Sequence, residues 1–194
     1  MNYLAHLYLA DDDPESVVGS LMGDFVKGPV PIEIAERIRQ GILVHRKIDT
    51  YTDAHPLIKH SKRLVRKEFR RYGGILIDVF YDHFLARHWS VYSSVPLKDF
   101  SRSVYGMLGS HYHLLPAPMQ RSVAAMIAND WLMSYRELAG IARALRGIEG
   151  RLKRESRLRE ALKDLEVNYA PLEEDFTAFF PELIAYVRQS RNED

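Results

Sequence analysis

The chain of 194 residues contains no cysteine, which excludes disulfides and thiolate metal sites. Any metal must therefore be held by His, Asp, Glu or Asn. No apolar run approaches the ~18 residues that a membrane span needs. The opening MNYLAHLYLADDD lacks the basic stretch of a secretory signal and turns acidic at once. These absences point to a cytoplasmic protein with no membrane partner. Alternating strand patterns, Asn-Gly or Asp-Gly hairpin turns and internal repeats are missing too, which argues against sheets and solenoids. There is neither a phosphate-binding glycine loop nor a Gly-x-Ser-x-Gly elbow. An excess of one charge is also lacking: the formal net charge is +1, and the basic stretch described below has no interleaved aromatics, so nucleic acid is not indicated.

What is present is helical periodicity. It predicts one all-α, multi-helix domain over residues 1–194, with seven to nine helices. Helices are expected near 2–10, 14–26, 32–53, 56–72, 75–89, 97–109, 118–146 and 171–188, with a fraying tail. Asp13 is a natural N-cap, followed by Pro14 at the first helical position. Gly19 and Gly23, four apart, would let another backbone come close. His111 and His113 read as surface residues. Residues 151–160 form a basic patch after a break at Gly147 and Gly150.

Several helices carry polar groups where apolar ones should be. In Ile75–Trp89 (ILIDVFYDHFLARHW), Asp82 shares a stripe with Ile75, Val79, Ala86 and Trp89, and Asp78 lies at its edge. Asp24 continues the face of Val17 and Leu21. His45 and Asp49 continue the face of Ile34, Ile38 and Ile42, away from the charged side of that helix. Asn2 and His6 stack one turn apart. Each histidine has a bland reading, as a core residue hydrogen-bonded to backbone or paired with a carboxylate. Yet buried acids repel one another unless a cation compensates them. Asp24, His45, Asp49, Asp78, Asp82 and His83, from three helices, form a nitrogen and oxygen donor set suited to a divalent metal. Hydrolysis by metal-activated water is the chemistry this set fits best.

A second feature is the run Lys59–Arg71, with seven bases and only Glu68 as an acid. A solvated face is its ordinary explanation, but the excess also suits an acidic partner.

Four ordered segments, NYLAHLYLA, GSLMGDFVKG, HRKIDTYTD and DVFYDHFLARHW, resemble the acyl carrier protein phosphodiesterases, closely in the first half of the chain. That family is similar to the HD phosphohydrolases, which are all-helical and metal-dependent. The resemblance implies hydrolysis of the phosphodiester joining 4′-phosphopantetheine to a serine of holo-acyl carrier protein. It implies Mn²⁺ as cofactor, with Mg²⁺ or Fe²⁺ as alternatives. The order of the consecutive pair, Asp82-His83, is reversed relative to the HD group. On this resemblance Asp24, His45, Asp82 and His83 are the expected metal ligands, and Asp49 and Asp78 orient them or ligate as well. His6, supported by Asn2, is the expected acid for the leaving serine oxygen. Asp24 is expected to be catalytic, and Lys27 and Arg46 to contact the phosphate. Arg63, Arg66, Lys67, Arg70 and Arg71 are expected to dock the acidic carrier protein. A metal phosphohydrolase acting on a nucleotide or other small phosphoester, and a helical binding module with a purely structural polar cluster, are the alternatives.

Overall fold

The computed structural model describes residues 1–152 and 156–192. All regular structure among them is helical, as the missing strand signals require. In chain order the α-helices are α1 (Tyr3–Tyr8), α2 (Pro14–Met22), α3 (Glu36–Ala54), α4 (Pro56–Leu64), α5 (Gly73–Arg87), α6 (Trp89–Tyr92), α7 (Leu97–Ser110), α8 (Ala117–Ala128), α9 (Trp131–Ser134), α10 (Leu138–Glu149), α11 (Leu162–Val167) and α12 (Tyr169–Asn192). Several are only one turn long, so the described residues hold more helices than the expected seven to nine. Lys153, Arg154 and Glu155 of the expected basic patch, and Glu193 and Asp194 of the tail, lie outside the described residues. No described helix is long and apolar enough to cross a membrane.

The core forms one contiguous apolar cluster. Its axis is α5, which is apolar on nearly all sides and buries Leu76, Ile77, Phe80, Tyr81, Phe84 and Leu85 completely. Phe176 and Phe179 of α12 pack on it, Phe176 edge-on to Tyr81 and beside Phe84, Phe179 tilted against Tyr81. The start of α2 is capped as its sequence demands: Asp13 accepts the Ser16 N–H at 2.9 Å, and Pro14 opens the helix. α2 and α3 cross closely at Gly19 and Gly41. A Cβ on Gly19 would collide with the Ile38 carbonyl, and one on Gly41 would lie 2.9 Å from the Gly19 Cα.

Three expected helices are interrupted by tertiary contacts. The 14–26 helix stops at Met22, so Asp24 leaves the helical register. The 56–72 helix stops at Leu64, and Lys67–Tyr72 form a 3₁₀ turn. Between them Val65 is extended and buried, while the Arg66 N–H and guanidinium both reach the buried Asp164 carboxylate at 3.0 and 3.1 Å. The 118–146 stretch divides into α8, α9 and α10 because Asp130 adopts a left-handed conformation, φ 44°. Tyr105 secures that break by donating to Asp130 and accepting the Leu132 N–H, each at 3.0 Å.

Candidate active site

The N-terminal turn of the chain, the end of α2 and the middle of α3 meet over α5. There His6 from α1 and His45 from α3 stack face to face, with centroids 3.8 Å apart. Both aim Nε2 at Asp49, one turn after His45: His6 Nε2 lies 3.1 Å from Oδ1 and His45 Nε2 3.2 Å from Oδ2. His45 Nδ1 donates to the Ser20 carbonyl at 2.7 Å, which fixes its ring and leaves Nε2 for a ligand. Gly23 makes room for that ring, since a Cβ there would strike it. Asp24 closes the group, 3.6 Å from His45 Nε2 and half exposed. The Met1 ammonium lies on the other side, 3.0 Å from Asp49 and 3.3 Å from Asp78.

The electrostatics divide the two stacked histidines. Burial lowers His6 to about 4, against the pull of Asp49, so it is a neutral imidazole at pH 7. Its Nδ1 is buried without a partner. Burial also opposes charge on His45, but the hydrogen bonds and fields of Asp24 and Asp49 outweigh it and raise His45 to about 9. Burial pushes Asp24 and Asp49 up, and His45 overcomes this in both: Asp24 ends below its ordinary value and Asp49 well below. Burial lowers the Met1 amine, yet Asp78 and Asp49 carry it up to about 10. The cluster is thus an acidic centre neutralised by a proton on His45 and by an ammonium.

His6, His45 and Asp49 each offer one ligand atom within 4.8 Å of the others, so together they could hold a metal ion. The donor set, two imidazole nitrogens and a carboxylate, fits a divalent transition metal. This differs from the expected ligand group. Asp82 is fully buried and serves as a cap: its carboxylate accepts the Leu4 and Ala5 N–H groups at 2.8 and 3.0 Å, at the start of α1. Burial raises it to about 7 against those two bonds. His83, about 100° further round α5, faces another way. Its Nδ1 donates to the Tyr135 carbonyl at 2.8 Å and its Nε2 meets the Tyr169 hydroxyl at 3.0 Å. The structure therefore does not gather Asp24, His45, Asp82 and His83 around one point. The backbone N–H groups of α1 take Asp82, and Tyr135 and Tyr169 take His83. Asp78 stands beside the Met1 ammonium, raised by burial despite it.

The remaining expected residues are scattered. Arg46 donates to the Val26 carbonyl at 2.7 Å, which anchors the turn that carries Asp24. Lys27 is exposed on that turn. Asn2 precedes α1 and lines a cavity together with Tyr135. Arg63, Lys67, Arg70 and Arg71 are exposed on α4 and the 3₁₀ turn after it. Arg66 is engaged with Asp164 and Glu68. A cavity of about 760 Å³ opens beside Asp24, between α8, α9 and α10, and includes Asn2 and Tyr3. Sequence reasoning missed it. Its signal was the run of small residues and arginines at helical spacing, Gly140, Arg143, Ala144, Gly147, with Ser122 and Ala125 opposite.

Comparison with known proteins agrees with the resemblance noted above. The model of a family described as acyl carrier protein phosphodiesterase matches residues 1–183. A protein of that name from Yersinia enterocolitica is 35% identical over 98% of this chain and all of its own. Namesakes from Yersinia pestis and an Enterobacter species are each 36% identical, over 95% and 98% of this chain and 96% and 100% of theirs. No solved structure matches. Matched along nearly its whole length by the family model and by these relatives, the chain belongs to the acyl carrier protein phosphodiesterase family.

Proposed function

We propose that this protein hydrolyses the phosphodiester joining 4′-phosphopantetheine to a serine of holo-acyl carrier protein, releasing the apo-protein and free 4′-phosphopantetheine. The observation that carries this reading is the convergence of His6 Nε2 and His45 Nε2 on Asp49, beside Asp24 and an open cavity, in a chain of that family. His6, His45 and Asp49 would hold the cofactor, a divalent cation, with Mn²⁺ first and Mg²⁺ or Fe²⁺ as alternatives. Bound there, it supplies Lewis acidity toward a phosphoryl oxygen and lowers the pKa of water.

The chain's own groups do the rest. The Ser20 carbonyl holds His45 in the tautomer that presents Nε2. Asp24, ionised and half exposed at the junction of cluster and cavity, is placed to take the proton of an attacking water. His6, held neutral, serves as a ligand rather than as the acid for the leaving oxygen. Asp82 fixes α1, and with it His6, by capping the helix. The carrier protein, acidic in this reading, docks through Arg63, Lys67, Arg70 and Arg71 in the cytoplasm. Arg66 leaves that set, because reversing its charge would strand the buried Asp164.

The test is mass spectrometry of holo-acyl carrier protein incubated with the protein and Mn²⁺, with EDTA and with Asp24→Ala and Asp49→Ala as controls. Loss of the phosphopantetheine mass that requires the metal and both carboxylates is the expected result. An intact holo-protein under every metal overturns the reading.

A further inference from the structure

The cavity beside Asp24 has a character opposite to that of the cluster it adjoins. The cluster is acidic, whereas the cavity presents Arg121 from α8, Arg143 from α10 and Arg151 just past the end of α10, and Asp24 is its only carboxylate. Among the described residues no acid pairs with any of the three arginines. Arg151 donates from Nε to the Gly147 carbonyl at 3.1 Å, and its charge acts on the Tyr3 hydroxyl, which also lies in the field of Asp24, so a guanidinium stands at the end nearest the cluster. Between the charges the wall is mixed, with Asn2, Ser122, Asn129 and Ser134 among apolar side chains. Ala125, Ala144 and Ile148 line it, and Tyr3 and Trp131 are stacked with centroids 6.1 Å apart. Gly147 widens it, for a Cβ there would meet nothing within 4 Å.

A guanidinium is a planar fork that matches phosphate oxygens. Three of them without carboxylate partners, over an uncharged wall of mixed polar and apolar groups, suit a ligand with a phosphate and an amide-and-alkyl chain. The volume lies in the ~300–1,000 Å³ range of small-molecule sites. We infer that this cavity receives the 4′-phosphopantetheine arm of the substrate, with Arg121, Arg143 and Arg151 taking its phosphate as it becomes the released monoester and the Tyr3–Trp131 wall taking the chain. The inference rests on the proposed function for the ligand's identity, and it is what would distinguish this substrate from a nucleotide or other small phosphoester.

The experiment is calorimetric titration of the full-length protein with free 4′-phosphopantetheine and with pantetheine, which lacks the phosphate, alongside turnover of holo-acyl carrier protein. The variants are Arg121→Gln/Arg143→Gln, both at exposed positions, and Gly147→Leu, which fills open space. The phosphorylated ligand should bind the unmodified protein at least about tenfold more tightly than pantetheine, as charge-assisted bonds imply. The double variant should erase that difference, and Gly147→Leu should weaken both ligands. In both variants KM for the carrier should rise while Mn²⁺ affinity stays constant. Undetectable binding of 4′-phosphopantetheine, or equal binding in all three proteins, overturns the assignment, and continued carrier turnover would then leave the proposed function standing. Arginine-dependent binding without carrier turnover would keep the cavity assignment and remove the function.

Discussion

Among the places where histidine meets a carboxylate in the described residues, two make a contrast, and only one has the character of a reaction centre. At the junction of α4 and α12, Asp175 Oδ2 accepts from Ser61 at 2.6 Å and from His60 Nδ1 at 2.7 Å. Ser61 in turn meets the Tyr81 hydroxyl at 2.9 Å. Ser61 and Asp175 are buried while His60 is exposed, and the network ties two helices together. At the other place, Asp24 and Asp49 remain half exposed, His6 Nδ1 has no partner, and a cavity lies alongside. A histidine and an acid in contact are therefore not a site in themselves. What marks a site is donor atoms aimed at one point and left incomplete by the protein.

The contrast can be tested most sharply by removing its two carboxylates. Asp49→Ala should lower hydrolysis beyond the ~10–100-fold that loss of an orienting partner costs, because a ligand is lost, and should abolish Mn²⁺ binding. Its melting temperature should fall as well, because the buried Met1 ammonium and protonated His45 lose a carboxylate, so metal binding is the deciding readout. Asp175→Ala should differ in kind: metal binding and turnover persist, while stability falls by about 1–3 kcal/mol as Ser61 and His60 lose their acceptor. Metal titration and calorimetry on both variants decide it, and equal loss of activity in the two would end the distinction.

Gly23→Ala comes next. The added Cβ displaces the His45 ring and should reduce activity by ~10–100-fold, with weaker metal binding, although no charged group is touched. Asp82→Asn follows. It should cost about 1–3 kcal/mol by leaving part of the α1 start uncapped, which in a chain of this size is several degrees of Tm. A variant of unchanged stability would show that Asp82 is not a cap.

The smallest effect is on pH. His6 is depressed to about 4, so its contribution to stability is complete above its ordinary value of 6.5 and lost as pH falls toward 4. His45 is raised to about 9, so its contribution is complete below 6.5 and lost as pH rises toward 9. The metal-free protein should therefore be most stable near pH 6.5 as far as this pair decides. Mn²⁺ affinity should climb through the alkaline limb, because His45 must release its proton to ligate. A Tm profile without a maximum, or a pH-independent affinity, would break the assignment of protonation states.

Much of this was legible in the chain. Periodicity marked the helical class, and the apolar α5 marked the core. His45 and Asp49 stood out because one helical turn and one apolar face are local properties, and both survive folding. Asp24 was legible as a candidate, but not for the reason given: it lies beyond the end of α2 rather than on its apolar face. The roles of Asp82 and His83 were not legible. Both are buried polar residues on a core helix, yet one caps α1 and the other bonds to Tyr135 and Tyr169, and no local pattern distinguishes these fates from ligation.

The sequence alone determined the helical architecture, the exclusion of thiolate chemistry, the family and the presence of polar groups on apolar faces. These follow from composition, spacing and residue type, which are set before the chain folds. Tertiary structure decided which of those groups share a centre, because that depends on the close crossing of α2 and α3 at Gly19 and Gly41. It also decided that His6 is neutral and His45 charged, since burial and neighbours set those states. The cavity of Arg121, Arg143 and Arg151 belongs to the same class: it arises from α8 and α10 facing each other, a distance that no periodicity encodes.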